Sequence, residues 1–176
     1  MKNNIFTQAE TYSKNRLPVD QASTLIPAAY TNSEFFNLEK EMVFANAWVA
    51  VGCLPQVGNA GDILVTEVAG RSILIVRDKT GNLGAFYNVC RHRGSKLLEK
   101  SCKMNSIRCP YHAWVYGLDG KCLGTSMFQN NQSDACPPSS DNNTDMFDES
   151  NFDKQDYGLL PVKVQSWGFL IFVNLS

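Results

Sequence analysis

Both histidines of this 176-residue chain stand close to a cysteine, and these two Cys–His couples are the residues best suited to chemistry. One residue separates Cys90 from His92, sixteen residues lie between His92 and Cys109, and two residues separate Cys109 from His112. Thiolate sulfur and imidazole nitrogen are common protein ligands of zinc and iron. The spacing therefore predicts a metal centre held by two short loops, each of which supplies one cysteine and one histidine.

Two kinds of metal centre use two cysteines and two histidines. A structural zinc site usually takes a Cys pair followed by a His pair, whereas the two residue types alternate along this chain. A [2Fe-2S] cluster with mixed ligands has two thiolates on one iron and two imidazoles on the other, and each iron then draws one ligand from each loop. The order of the residues favours the cluster, and a zinc-stabilised interaction module remains the alternative.

Formal charge gives a reason for mixed ligands. Two ferric ions, two sulfides, two thiolates and two neutral imidazoles sum to zero, whereas four thiolates leave the oxidised cluster with two negative charges. Because a neutral cluster accepts an electron more readily, this ligand set is suited to one-electron transfer at a potential of roughly −150 to +300 mV.

Composition bounds the remaining possibilities. The formal net charge is −1, which gives no electrostatic reason to bind nucleic acid or an anionic membrane. The N-terminus has no apolar stretch typical of a signal peptide, and the longest apolar run, GFLIFV, is too short to cross a bilayer. We therefore expect a cytoplasmic protein in which the six cysteines serve as thiols or metal ligands rather than disulfides.

The pattern along the chain predicts an all-β body preceded by a helical extension. Asn32 is a good N-cap residue, and Phe35, Leu38, Met42 and Ala45 follow it at helical spacing, which predicts a helix of about three turns. From Trp48 onward the chain has short runs of branched and aromatic residues separated by turn signals, which predict antiparallel strands. The strands are predicted in WVAVGCL, GDILVTEV, RSILIVRD and LGAFYNV, in a hairpin turning at Asp119–Gly120, and on either side of Gly168.

We accordingly divide the chain into two parts. Residues 1–46 form an N-terminal extension with one helix, and residues 47–176 form the metal-binding domain. A polar segment at about 129–150 is almost free of large apolar residues and is interpreted as a surface insertion or a docking loop.

The segment FYNVCRHRGSKLLEK…IRCPYHAWVYGLDGK resembles the Rieske domain of ring-hydroxylating oxygenase large subunits, whose motifs are Cys-x-His-Arg-Gly and Cys-Pro-Tyr-His-x-Trp. The likeness covers nearly the whole chain except about 129–150, and it is greatest for the choline, carnitine and glycine betaine monooxygenases. It implies a Rieske fold of stacked antiparallel sheets with two cluster-binding loops. It also implies that Cys90, His92, Cys109 and His112 ligate a [2Fe-2S] cluster.

Residues beside these ligands are expected to shape or tune the site. Gly94 and Pro110 are predicted to shape the loops, and three arginines to supply positive charge that attracts an electron donor or stabilises the reduced cluster. Trp114 stands where related membrane cytochrome proteins have a serine that raises the potential, so we expect a midpoint near the lower end of the Rieske range. The full set of predicted neighbours is Arg91, Arg93, Gly94, Arg108, Pro110, Tyr111 and Trp114.

The resemblance also implies partners. A flavin reductase or a ferredoxin is the expected electron donor, and the expected acceptor is a mononuclear iron held by two histidines and a carboxylate in a C-terminal catalytic domain. The chain has no histidine beyond His92 and His112, so we expect that catalytic domain to be absent and the chain alone not to hydroxylate a substrate. The alternative is a free-standing carrier of the Rieske ferredoxin type. The family suggests a homotrimer for a full-length form.

Overall fold

The computed structural model describes residues 4–125 and 152–176, which form a body of short antiparallel strands. The predicted all-β body is thus confirmed, whereas the polar segment at about 129–150 lies outside the described residues. The strands are β1 (Val49–Cys53), β2 (Asp62–Val68), β3 (Arg71–Arg77), β4 (Leu83–Tyr87), β5 (Cys102–Lys103), β6 (Ile107–Arg108), β7 (Val115–Tyr116), β8 (Cys122–Gly124), β9 (Lys163–Trp167) and β10 (Leu170–Asn174).

These strands form three antiparallel sheets with the orders β1-β10-β9, β4-β3-β2-β5 and β6-β7-β8. The middle strand β3 shows how the sheets are stacked. Ile73 and Ile75 pack against the β1-β10-β9 sheet, while Leu74 and Val76 pack against residues of the β6-β7-β8 sheet. Successive strand residues point to opposite faces, so β3 is buried on both sides, which explains its unbroken apolar sequence. The β4-β3-β2-β5 sheet is therefore the middle layer.

The hairpin between β7 and β8 ties the outer β6-β7-β8 sheet to this middle layer. Its turn contains Gly120 with φ +83°, and the Phe86 ring of β4 occupies the space that a Cβ atom would need. The Gly120 carbonyl accepts a 2.8 Å hydrogen bond from the N–H of Leu159. The predicted turn at Asp119–Gly120 is confirmed, and only glycine fits its second position.

The N-terminal extension has short helical pieces, α1 (Ala28–Thr31) and α2 (Ser33–Glu39), and α2 continues into a π-helical turn, Lys40–Phe44. The Asn32 side chain accepts hydrogen bonds from the N–H groups of Glu34 and Phe35, as an N-cap residue should. Met42, however, is 72% exposed rather than on the packed face. The π turn adds a residue per turn and so rotates Met42 away from that face.

Three 3-10 turns precede these helices, Ile5–Thr7, Ala9–Tyr12 and Lys14–Arg16. Phe6 in the first turn is buried, and its ring meets Phe35 of α2 edge to face at 5.1 Å. Among the described residues, no helix has the length and apolar character required to cross a membrane.

Candidate metal centre

The first site loop follows β4 and closes on Cys90. The N–H of Cys90 donates to the carbonyl of Ser95 at 2.7 Å, and the N–H of Gly94 donates back to the carbonyl of Cys90 at 3.0 Å. Gly94 has φ +70°, a left-handed conformation that glycine adopts without steric cost. The loop is therefore a tight turn that begins with the cysteine and carries His92 at its tip.

The second site loop joins β6 to β7 and has the same hydrogen-bond pattern. The N–H of Cys109 donates to the carbonyl of Trp114 at 2.8 Å, and the N–H of Ala113 donates to the carbonyl of Cys109 at 3.1 Å. Ala113 is the counterpart of Gly94 and also has a positive φ, +57°. Two similar turns thus present one cysteine and one histidine each.

Asn88, a residue that the sequence analysis did not single out, holds the first loop closed. Its side-chain oxygen accepts hydrogen bonds from the N–H groups of Leu97 and Leu98, at 3.2 and 3.0 Å. Its amide nitrogen donates to the Leu98 carbonyl at 2.7 Å and to the Ser72 hydroxyl at 3.0 Å. A buried amide with this many partners fixes the loop ends against the middle sheet.

The four predicted ligand side chains come together and sort by type. The Cys90 and Cys109 thiols are both buried in the same core cluster and lie close enough to influence each other's pKa. The rings of His92 and His112 meet edge to face with centroids 4.7 Å apart. The thiol pair therefore lies inside, and the half-buried imidazole pair lies towards the surface.

The pKa values of the two thiols are shifted in opposite directions. Burial raises the pKa of the Cys90 thiol. Burial also acts to raise the pKa of Cys109, but hydrogen bonds from the N–H groups of Tyr111 and His112, together with the Cys90 and Ser95 side chains, outweigh burial and lower that pKa. Backbone donors of this kind stabilise a thiolate, which is the form that binds metal.

Tyr116 on β7 supplies a hydrogen bond to the other sulfur. Its hydroxyl oxygen lies 3.2 Å from the Cys90 sulfur and accepts a 3.0 Å hydrogen bond from the N–H of Arg91. Burial, together with the Cys90 contact, raises the pKa of the Tyr116 phenol, so the hydroxyl stays protonated. A protonated hydroxyl donates a hydrogen bond to Cys90 when that cysteine is a thiolate. The amino-acid sequence indicates a core or site-shielding role for Tyr116 but not this hydrogen bond, because the Cys90 contact spans 26 positions.

The two histidines have different aromatic neighbours. The His92 ring stacks on the buried Trp114 indole with centroids 4.9 Å apart and an interplanar angle of 8°. The His112 ring instead meets Tyr111, which is 60% exposed, at 3.8 Å and 36°. Burial lowers the pKa of His92, and the positive charge of His112 and Arg93 acts in the same direction. A neutral imidazole keeps the lone pair that a metal ligand needs.

The other predicted neighbours surround the loops. Arg93, Arg108 and Pro110 are exposed, whereas Arg91 is half-buried and its Nε atom has no hydrogen-bond acceptor among the described residues. In the part of the chain that the structure describes, none of the three arginines forms an ion pair; the pairs there involve Arg71, Lys96, Lys103 and Lys121.

The cysteines outside the two Cys–His couples lie on strands or outside the described residues. Cys53 and Cys102 are half-buried in β1 and β5, Cys122 is buried in β8, and Cys136 lies outside the described residues. From the sequence alone, Trp167 at the start of the turn around Gly168 is interpreted as a core or site-shielding residue, but its side chain is 79% exposed. That prediction is wrong because β9 is an edge strand and Trp167 is on the outward face of its sheet.

The donor set fits a binuclear centre. Within residues 4–125 and 152–176, no three His, Cys, Asp or Glu side chains converge on one metal-ion position. The four candidate ligands instead form a thiol pair and an imidazole pair, and the Nδ1 atom of His112 is buried. Two irons with two protein ligands each require this division.

Comparison with known proteins agrees with this chemistry. Residues 47–134 match the Rieske [2Fe-2S] domain family. The chain is 36% identical over 158 residues to the carnitine monooxygenase oxygenase subunit of Escherichia coli (strain K12), a match that covers 89% of this chain and 37% of the relative. It is 33% identical over 160 residues to the chloroplastic choline monooxygenase of Beta vulgaris, covering 91% of this chain and 32% of the relative.

A solved structure gives the same result. The apo form of a quaternary ammonium Rieske monooxygenase superposes with a TM-score of 0.72 at 34% identity, covering 88% of this chain and 40% of that chain. The chain thus spans less than half the length of these relatives. The resemblance predicted from the sequence is confirmed, since carnitine and choline monooxygenases are among the relatives. The chain belongs to the Rieske [2Fe-2S] domain family, whose cofactor is a [2Fe-2S] cluster.

Proposed function

We propose that Cys90, His92, Cys109 and His112 hold the [2Fe-2S] cluster and that the chain is the electron-transfer domain of an oxygenase. The bound cluster supplies one-electron oxidation and reduction. The observation that carries this proposal is the sorting of the four side chains, with the two thiols buried in one core cluster and the two imidazole rings 4.7 Å apart towards the surface.

The chain's own residues give each ligand a suitable environment. The N–H groups at Tyr111 and His112 favour a thiolate at Cys109, and the Tyr116 hydroxyl does so at Cys90. The interior position of the sulfurs keeps water from them, whereas the imidazole edges reach towards the surface. A redox partner that docks on this end of the molecule therefore approaches the imidazole pair first.

The relatives indicate the kind of oxygenase. Their names describe oxygenases of carnitine and choline, so we infer that this domain serves an oxygenase of a quaternary ammonium compound. The expected donor is a flavin reductase or a ferredoxin, and the expected acceptor is a mononuclear iron in a catalytic domain. This reading is preferred to a free-standing electron carrier because the relatives are oxygenase subunits rather than ferredoxins.

The first experiment is spectroscopic. The chain, expressed with iron available and reduced with dithionite, should be red-brown and give a rhombic EPR signal whose average g value lies below that of clusters held only by thiolates. A colourless protein with stoichiometric zinc would overturn the proposal. Replacing His112 by Cys should shift the potential downward, since an added thiolate makes the cluster more negative.

A chimera tests the oxygenase assignment separately. This chain, joined to the catalytic portion of the E. coli carnitine monooxygenase subunit, should consume oxygen when carnitine and a reductase are added. The matched control is the same chimera with His112→Ala, which should not respond. A cluster-containing chimera that never delivers electrons would contradict the oxygenase assignment while leaving the cluster proposal intact.

A further inference from the structure

Trp114 contacts both site loops at their ligands, through its backbone and its side chain. Its carbonyl accepts the N–H of Cys109 in the second loop, and its indole lies parallel to the His92 ring of the first loop at 4.9 Å. We propose that Trp114 is a positioning residue that fixes the plane of the His92 imidazole relative to Cys109. This inference rests on the proposed ligand set.

The Trp114 side chain is itself held firmly. It is only 1% exposed, and the rings of Tyr157 and Phe152 meet it edge to face at 5.7 and 6.0 Å. Those two rings stack on each other at 4.8 Å. An indole enclosed in this way has little freedom to rotate, because side chains in packed interiors occupy single rotamers.

A parallel stack restricts the imidazole more than other ring contacts do. With an interplanar angle of 8°, any tilt of the His92 ring brings its edge into the indole face. The direction of the nitrogen lone pair, and hence the ligand bond, is set by that plane. Groups that orient a metal-binding histidine typically change metal affinity by about 10- to 100-fold when they are removed.

His112 provides an internal comparison. Tyr111, which meets the His112 ring, lies at a tilt of 36° and is 60% exposed, so Tyr111 is less enclosed than Trp114. The structure therefore assigns the positioning role to Trp114 and not to Tyr111. Trp114 and Tyr111 thus differ in how firmly each is held, although each contacts the ring of one candidate ligand.

The test compares Trp114→Met, which removes the ring, with Trp114→Phe, which keeps a smaller one. Tyr111→Leu removes the other aromatic neighbour, and Leu159→Ala makes a cavity in the same core cluster without altering a side chain stacked on His92. Each full-length variant is purified with its cluster. Loss of visible absorbance with EDTA, the EPR g values after dithionite and the thermal midpoint are then measured.

We expect Trp114→Met to lose its cluster roughly tenfold faster than the parent protein and to show shifted g values. Trp114→Phe should restore much of both properties, while Tyr111→Leu should keep the parent g values. Leu159→Ala should lower the thermal midpoint without changing the g values. The inference is overturned if Trp114→Met has parent g values, or if Leu159→Ala shifts them equally.

The result also separates this inference from the proposed function. If the parent protein gives no Rieske-type signal, both the proposed function and the positioning role of Trp114 are overturned. A parent protein with that signal and an unchanged Trp114→Met variant removes only the positioning role. If Trp114→Met does not fold, Trp114→Leu, which also removes the ring, takes its place, and its g values and release rate are compared with those of Leu159→Ala in the same way.

Discussion

The Tyr116 hydroxyl is a polar side-chain group placed directly beside a candidate ligand sulfur. It lies 3.2 Å from the Cys90 sulfur, and its partner on the other side is the N–H of Arg91 at 3.0 Å. Hydrogen bonds to cluster sulfurs withdraw electron density and raise the potential. The environment of Cys90 therefore depends on a residue of strand β7, 26 positions along the chain.

Replacing Tyr116 by Phe should lower the midpoint potential, because the electron-rich reduced state loses more from the missing hydrogen bond. A net loss of about 1 kcal/mol corresponds to about 40 mV for one electron. Protein-film voltammetry measures this shift. Tyr157→Phe, which removes a hydroxyl beside Trp114 rather than beside a sulfur, is the control, and an equal shift in both variants would contradict the assignment.

The two site loops, as structural elements, differ at one position. Both contain a residue in the left-handed region four places after the cysteine, but the first loop has Gly94 and the second has Ala113. A side chain costs about 1 kcal/mol in this conformation. The second loop therefore carries a local strain that the first loop avoids.

This difference predicts substitutions of opposite sign. Gly94→Ala should destabilise the protein by about 1 kcal/mol, and only through the backbone, because a Cβ atom there meets nothing within 4 Å. Ala113→Gly should be neutral or stabilise by up to about 1 kcal/mol. Thermal midpoints of the cluster-loaded variants measure both effects. A strongly destabilised Ala113→Gly would show that its methyl group has a packing role instead.

Elements with local signals were predictable from the sequence. The N-cap at Asn32 and the turn at Asp119–Gly120 depend on residues within a few positions, and β3 has an apolar run that requires burial on both faces. The Cys–His spacing is also a local signal, because the cysteine and histidine of each couple lie within one tight loop. Local chemistry therefore gave both the all-β body and the candidate ligands.

The features that sequence analysis missed depend on partners distant in the sequence or on a strained backbone conformation. The strands β5 and β6 have two residues each, too short for a periodic pattern, and exist through pairing with β2 and β7. Asn88 bonds to residues up to 16 positions away. Ala113 is a residue type that rarely has a positive φ, so nothing in its identity indicates the turn.

Charge is unevenly distributed over the whole molecule. The chain carries a formal net charge of −1, yet Arg91, Arg93 and Arg108 lie beside the ligands without ion-pair partners among the described residues. An exposed positive region raises the encounter rate with anionic partners, and salt screens it. The arginine-bearing end of the molecule should therefore favour an acidic redox partner.

Oxidation of the reduced protein by ferricyanide, a small anion, tests this charge asymmetry. The stopped-flow rate constant should fall several-fold between about 0.01 M and about 0.15 M salt, as the screening length shortens. Arg93→Glu and Arg108→Glu should reduce the low-salt rate. Lys121→Glu, at the opposite end of β7 in a pair with Asp119, is the charge-matched control and should change it little. Equal effects of all three variants would indicate that only net charge matters.

Because the sheets are stacked, cluster binding at the site should affect how firmly two of the layers are held together. The first loop extends from the middle sheet at β4, and the second connects β6 to β7 in the outer sheet, so a cluster ligated by both loops links the two layers. A ligand that binds only the folded arrangement stabilises it. Removing iron with a chelator should therefore loosen β6-β7-β8 more than β1-β10-β9, whose buried residues belong to a separate core cluster.

Hydrogen exchange resolves these two sheets within one sample. After iron removal, amides of β7 and β8 should exchange roughly tenfold faster or more, a local loss of at least about 1.4 kcal/mol, while amides of β10 change little. The Asn88 and Gly120 contacts still hold the loops and the hairpin to the middle sheet, so global unfolding is not expected. A uniform increase over all three sheets would show instead that the cluster stabilises the domain as one cooperative unit, with no special dependence of the outer sheet.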